Sequence, residues 1–86
     1  GMSERWLPVP GFEGAYEVSD AGAIRSLDRA ASGLGAGNYR FRPGRVLKLA
    51  ASSRGYLFAH LSHRGRRARV YAHRLVLTVF VGPAPA

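Results

Sequence analysis

The chain has 86 residues, a formal net charge of +8 and no cysteine, so it makes one small domain with neither a disulfide scaffold nor a Cys-based zinc site. No apolar run approaches the roughly 18 residues that span a bilayer, and the N-terminal stretch around Glu4 and Arg5 has no apolar signal core, which points away from the membrane and from secretion and toward the cytoplasm. A chain of this length buries only about 60–65% of its unfolded surface, so its core is thin and needs large side chains.

In chain order, Gly1 ahead of Met2 reads as an expression scar. Ser3 to Pro10 is an extended lead-in, because Pro8 and Pro10 forbid a helix there, and Trp6 is expected to pack on the core. Gly11-Phe12-Glu13-Gly14 is a glycine-punctuated turn. Tyr16-Glu17-Val18-Ser19 alternates as a strand, Ser19-Asp20-Ala21-Gly22 has turn chemistry in which Asp20 bonds its own backbone, and Ala23 to Leu27 returns as the second strand of a hairpin. Residues 29–38, RAASGLGAGN, read as a mobile surface loop. Tyr39-Arg40-Phe41-Arg42 alternates aromatic with basic residues, Pro43-Gly44 turns the chain, and Arg45 to Leu49 is a strand candidate. Tyr56 to Ser62 is a strand with Tyr56, Phe58 and His60 on one face and Leu57, Ala59 and Leu61 on the other. A turn over residues 63–66 leads to a partner strand from Arg67 to Tyr71. Ala72, Leu75, Val76, Val79 and Phe80 then fall on one stripe of a helix that Pro83 and Pro85 end. No internal repeat is visible.

These elements predict an α+β fold, a small domain of antiparallel β-hairpins with one short C-terminal helix. It is a single domain over residues 1–86, with a hairpin module at 5–27, a loop and connector at 28–44, and a strand, hairpin and helix at 45–80.

Charge is divided unevenly along the chain. All five acids, Glu4, Glu13, Glu17, Asp20 and Asp28, lie in the first 28 residues, where only Arg5 and Arg25 offset them. Beyond Asp28 there are eleven basic residues and no acid, and twelve of the thirteen basic residues in the chain are arginine. A GC-rich genome would explain the preference for Arg over Lys, but not the loss of acids after Asp28. Clustered guanidinium groups mark a polyanionic partner, and their planar forks suit phosphate and guanine.

Other chemistries are weaker. The glycines do not have the spacing of a nucleotide-binding loop. His60 and His63, three apart on a strand, point to opposite faces. His73 reads as a helix-start residue tied to a neighbouring group, rather than a nucleic-acid contact. Glu13, Glu17 and Asp20 read as a solvated face rather than a cation site, with Glu13 tying the lead-in to the hairpin through backbone N–H groups or Arg25. Trp6, Phe12, Tyr16 and Tyr56 are able to stack on bases, but core packing is the expectation for Trp6 and Tyr16. Tyr39, Phe41 and Tyr71, each beside arginines, stay open to stacking.

Trp6, Gly11-Phe12-Glu13-Gly14, Tyr16-Glu17-Val18-Ser19-Asp20, Gly22 and Ile24-Arg25-Ser26-Leu27 together resemble the NUMOD motif, a nuclease-associated module at the front of phage and bacterial HNH homing endonucleases. The second half, with Gly44-Arg45-Val46-Leu47-Lys48, Gly55-Tyr56-Leu57, Leu61, Gly65, His73-Arg74-Leu75-Val76 and Phe80, resembles the segment that follows in that family. The resemblance implies a DNA-binding, non-catalytic N-terminal part of such an enzyme, either a cut piece or a natural remnant. In the family, a His- and Asn-rich ββα element comes after this helix and holds a divalent metal such as Mg²⁺. That element has no counterpart between Phe80 and Ala86, so no catalytic residue, metal ligand or cofactor is expected in this chain.

The expected partner is duplex DNA, with no membrane and no small-molecule substrate, in a bacterial or phage-encoded, nucleoid-associated protein. Arg64, Arg66, Arg67 and Arg69 are expected on a two-stranded ribbon that enters a major groove, and Arg40, Arg42, Arg45, Lys48 and Arg74 extend the footprint. An RNA-binding module and a protein-interaction domain are the alternatives. If the helix lacks a covering element, apolar surface is expected near Leu77 and Val81. The sequence leaves the oligomeric state open.

Overall fold

The structure, a computed structural model, describes residues 3–32 and 39–82, with residues 29–32 and 39–42 described as backbone only. The architecture is α+β. Strands β1 (Trp6–Pro8), β2 (Tyr16–Ser19) and β3 (Ile24–Ser26) form one antiparallel sheet in chain order. Strands β4 (Arg29–Ser32) and β5 (Tyr39–Arg42) form a two-stranded ladder. Strands β6 (Ala50–Ala51), β7 (Leu57–His63) and β8 (Arg66–Tyr71) form a second antiparallel three-stranded sheet. Helix α1 (Ala72–Val76) follows β8 directly and widens into a π-helical segment, Leu77–Val81. The expected hairpin and the helix after it are therefore present.

The core lies where the two sheets meet α1. Val9, Phe12, Ala15, Tyr16, Val18 and Ile24 come from the N-terminal module, and Ala59, Leu61 and Ala72 from the second half. Leu75, Val76, Val79 and Phe80 pack against this cluster, as the helical stripe requires. Tyr16 bolts the halves together. Its ring meets Phe12 edge-on, with centroids 5.9 Å apart, and its hydroxyl donates to Ser62 O at 3.2 Å and accepts from Ser62 N–H at 3.4 Å. Strand β6 pairs only with residues 57 and 58, so β7 is open on that side at Ser62. The phenol satisfies backbone groups that would otherwise depend on water.

The acids are used locally. Glu13 accepts from Gly11 N–H at 3.0 Å, Glu17 pairs with Arg25 at 2.6 Å, Asp20 accepts from Arg5 N–H at 3.2 Å, and Asp28 accepts from Gly44 N–H. The carboxyl of Glu13 is held below its ordinary pKa by its own backbone N–H and that of Gly11, with a smaller contribution from the Arg66 charge. Desolvation opposes the shift by more than the Arg66 charge adds to it, and the two backbone hydrogen bonds decide its direction.

Several expectations need correction. The turn after β2 is closed by Ser19, not Asp20. Ser19 is fully buried, and its Oγ accepts from the N–H groups of Ala21 (3.2 Å) and Ala23 (3.0 Å), which leaves Asp20 to tie down Arg5. Trp6 is half-buried outside the core cluster, with the Arg25 guanidinium 4.1 Å from its ring centroid. The Arg25–Glu17 pair holds that guanidinium over the indole, on the face of the sheet turned away from Val18 and Ile24.

The expected loop over 29–38 begins instead as β4, whose ladder with β5 outweighs the weak strand propensity of Arg-Ala-Ala-Ser; residues 33–38 of that expectation lie outside the described residues. Residues 45–49 are not a strand of the second sheet. They run beside β3 through a single bridge, Val46 to Arg25, with Ser26 N–H to Arg45 O at 2.8 Å and Leu47 N–H to Ile24 O at 2.8 Å. Gly44 permits that approach, because a Cβ there would stand 2.4 Å from Ser26 O. The helix ends at Gly82, whose N–H closes on Leu77 O at 2.9 Å with φ of 91°. Pro83 and Pro85, expected to end the helix, lie outside the described residues. Leu77 and Val81 are exposed at 56% and 74%, as expected for a helix with one uncovered side.

Candidate nucleic-acid interface

The register of the β7–β8 hairpin sorts its side chains. Phe58 faces Tyr71, His60 faces Arg69 and Ser62 faces Arg67, while Ala59 faces Val70, Leu61 faces Ala68 and His63 faces Arg66. The second set contains the buried Ala59 and Leu61 and is turned to the core. The first set forms the outer face, since side chains alternate along a strand. Direct contacts agree: Phe58 meets His60 edge-on at 5.6 Å and Tyr71 at 5.8 Å, and the Arg69 guanidinium lies 4.6 Å from the Phe58 ring centroid. His60 and His63 thus lie on opposite faces, as their spacing requires.

The four hairpin arginines therefore have different positions. Arg67 and Arg69 project from the outer face, both exposed. Arg64 sits at the tip of a two-residue turn with Gly65, both at positive φ (51° and 78°), a pairing typical of a type I′ hairpin. Arg66 is on the inward side of the tip, where its Nη1 donates to Gly11 O at 3.2 Å while its charge helps hold Glu13 ionised. It fastens the ribbon tip to the turn after β1.

Arg45 and Lys48 come into the same region by another route. The segment along β3 delivers them to a groove that they share with Phe58 and His60, so two exposed cations flank the outer face. Arg74 is exposed on α1, beyond the other end of the hairpin, where it lines a cleft with Arg54, Tyr56, Tyr71 and His73. The side chains of Arg40 and Arg42, on β5, lie outside the described residues. His73 has no side-chain hydrogen bond among the described contacts. It stacks on Tyr56, with centroids 4.9 Å apart and planes 28° apart, and meets Tyr71 at 6.2 Å, so the expected tie at the helix start is aromatic rather than polar.

Sequence reasoning passed over Arg54 as an interface residue and left Phe58 and His60 without a role beside the arginines. The alternation of Tyr56, Phe58 and His60 was the available signal. A two-residue turn then fixes which arginines share their face. Among the described residues, no three His, Asp or Glu side chains gather as a metal ion would require, and the ion pair Arg25–Glu17 involves no basic residue of the second half.

Comparison with known proteins adds independent evidence. The NUMOD4 motif matches residues 4–62. Among solved structures, the chain is similar to the HNH homing endonuclease I-HmuI, in a structure describing DNA binding and cleavage by that enzyme. The match has a TM-score of 0.63 and 26% identity, and covers 88% of this chain and 36% of the other. The chain thus spans little more than a third of the length of that structural relative. No curated protein matches at a significant level.

Proposed function

The chain belongs to the NUMOD4 family, and from that premise we propose that it is a DNA-binding, non-catalytic module of the kind found at the front of a phage or bacterial HNH homing endonuclease. The observation that carries this reading is the outer face of β6–β8. Arg67 and Arg69 alternate there with Phe58, His60 and Tyr71, Arg45 and Lys48 flank it, and no carboxylate lines the groove they share with it. An antiparallel ribbon has the dimensions to enter a major groove, and guanidinium groups supply phosphate and guanine contacts there. The similarity to a DNA-binding endonuclease supports the same partner.

The site is built from the second half, and the first half holds it in place. Glu17 and Asp20 are engaged within the N-terminal module, and Glu13 meets only the inward-turned Arg66, so none of these three is paired with the outward Arg67 or Arg69. Tyr16 on Ser62 and Arg66 on Gly11 fix the ribbon to that module at two points. Binding to a groove then needs little reordering of the ribbon, which favours affinity. We assign binding and not cleavage to these residues, with any divalent metal belonging to a separate ββα element, and place the protein with DNA in a bacterial cytoplasm.

A salt titration of duplex binding, run beside a nicking assay on supercoiled plasmid with Mg²⁺ or Mn²⁺, tests the reading. Steeply salt-dependent binding without nicking is expected. Metal-dependent nicking lost on substitution of His60, His63 or His73 would overturn the non-catalytic assignment. Preference for structured RNA in competition would redirect the partner. A specific observation favours one other reading: Tyr56, Leu57 and Leu77 line an exposed apolar groove suited to a protein contact. Absence of DNA binding even at low salt would leave that reading standing.

A further inference from the structure

At the end of β7–β8 away from Arg64, the turn before β7 meets the start of α1 in an open cleft lined by Ser53, Arg54, Tyr56, Tyr71, His73 and Arg74. Its chemistry is one-sided. Two guanidinium groups, two phenols, an imidazole and the hydroxyls of Ser52 and Ser53 offer hydrogen-bond donors, and no carboxylate lines it. Among the described residues neither Arg54 nor Arg74 forms an ion pair, and Asp20 lies in the neighbouring groove that shares Tyr56 and His73 rather than in this cleft. Two cations converging on one cleft repel each other, and an anion between them relieves that repulsion.

The cleft is also held in shape. Ser52 accepts from Tyr56 N–H through its Oγ at 3.1 Å, its N–H donates to Tyr56 O at 2.8 Å, and its carbonyl accepts from Gly55 N–H at 2.8 Å, so the turn carrying Ser53 and Arg54 is closed three ways. On the opposite wall, the His73 ring is stacked on Tyr56 and edged by Tyr71.

We propose that this cleft is a phosphate site, and that its occupant is a backbone phosphate of the duplex bound by the outer face of the sheet. The inference rests on the DNA-binding reading and extends it. An open cleft suits a group that belongs to a polymer passing over it, whereas a free small molecule is better held by enclosure. Position fits as well. Tyr71 lies five residues along β8 from Arg66, roughly 17 Å at about 3.3 Å per residue. The footprint would then run from Arg64 at the tip, past Arg67 and Arg69, to Arg54 and Arg74.

The test compares Arg54→Ala and Arg74→Ala with Arg67→Ala in salt titrations of duplex binding, and adds inorganic phosphate as a second probe. Each cleft variant is expected to flatten the slope of log K against log salt by about 0.9, and the pair by about 1.8. Inorganic phosphate at millimolar concentration should shift the His73 and Tyr56 ring resonances in the wild-type chain and not in the double variant. If both cleft variants keep the wild-type slope while Arg67→Ala flattens it, the inference fails and the DNA-binding reading stands. If the wild-type chain binds no duplex but phosphate still shifts His73, the anion site is real and its occupant is not DNA, which overturns the proposed source. No shift and no change in slope overturns the site. Both arginines are exposed, so circular dichroism is expected to show unchanged folding, and Arg54→Gln checks that truncation alone is not responsible.

Discussion

Replacing Arg66 by Ala and replacing Arg67 by Ala should weaken DNA binding in two distinguishable ways. The residues are adjacent, equally charged and both exposed, so composition alone predicts the same effect for each. The register separates them: Arg67 leaves the outer face opposite Ser62, and Arg66 turns inward to donate to Gly11 O at 3.2 Å. If Arg67 neutralises one phosphate, its loss lowers the slope of log K against log salt by about 0.9. Over a fourfold rise in salt, that is a change of about 3.5-fold in how far affinity falls. Removing Arg67 and Arg69 together doubles the slope change to about 1.8, or about 12-fold over the same range. Arg66→Ala instead removes one exposed charge-assisted hydrogen bond, with an expected cost near the lower end of the roughly 1.5–3 kcal/mol range for hydrogen bonds to charged groups. It frees the tip, so affinity falls while the salt slope stays close to wild type. Fluorescence anisotropy of a labelled duplex between about 50 and 200 mM salt, the range over which phosphate contacts are read most easily, gives both quantities. Equal flattening by Arg66→Ala and Arg67→Ala would refute the division of roles and show that the tip arginine contacts phosphate directly.

Three further outcomes are expected. Tyr16→Phe removes the hydroxyl that bridges to Ser62 and should cost about 1–2 kcal/mol, lowering the melting temperature by roughly 5–15 °C; an unchanged melting temperature would mean that water replaces the phenol without loss. Arg64→Asn suits the left-handed position better, so thermal stability should hold or rise while duplex affinity falls, and a parallel loss of both would point to a fold effect instead. The carboxyl of Glu13 titrates below its ordinary value, so its contribution to stability is present above the unfolded-state pKa and is lost as pH falls through the lowered one. Urea midpoints measured across that acid range should decline less steeply in Glu13→Gln than in the wild-type chain.

Much of the second half was legible because its signals are local. The alternation of Tyr56 to Ser62, the Arg64-Gly65 turn and the switch to helical spacing at Ala72 each depend on a few neighbouring residues. The N-terminal module was legible as a hairpin, but its partners were not. Whether Glu17 or Glu13 meets Arg25, and whether Trp6 goes to the core or under a guanidinium, depends on strand register and on which sheet face is left free. The segment from Arg45 to Leu49 shows the limit most clearly. Its composition suits a strand, yet Asp28, Ser26 and Gly44 hold its start against β3, and that contact spans up to nineteen positions in sequence. At the site, the clustering of arginines was visible and their facing was not. Arg66 and Arg67 look alike until the two-residue turn sets the register, and Arg54 stands apart in sequence from the helix residue with which it shares a cleft.

The most direct test of the central claim is the map of backbone amide shifts when the chain is titrated with a short duplex at low salt. If the outer face of β6–β8 is the DNA-binding surface, the largest shifts fall on Phe58, His60, Ser62, Arg67, Arg69 and Tyr71, with Arg45 and Lys48 beside them, and they vanish as salt is raised. Shifts confined to Leu57, Val76 and Leu77 around the apolar groove, or none at any salt, would contradict it.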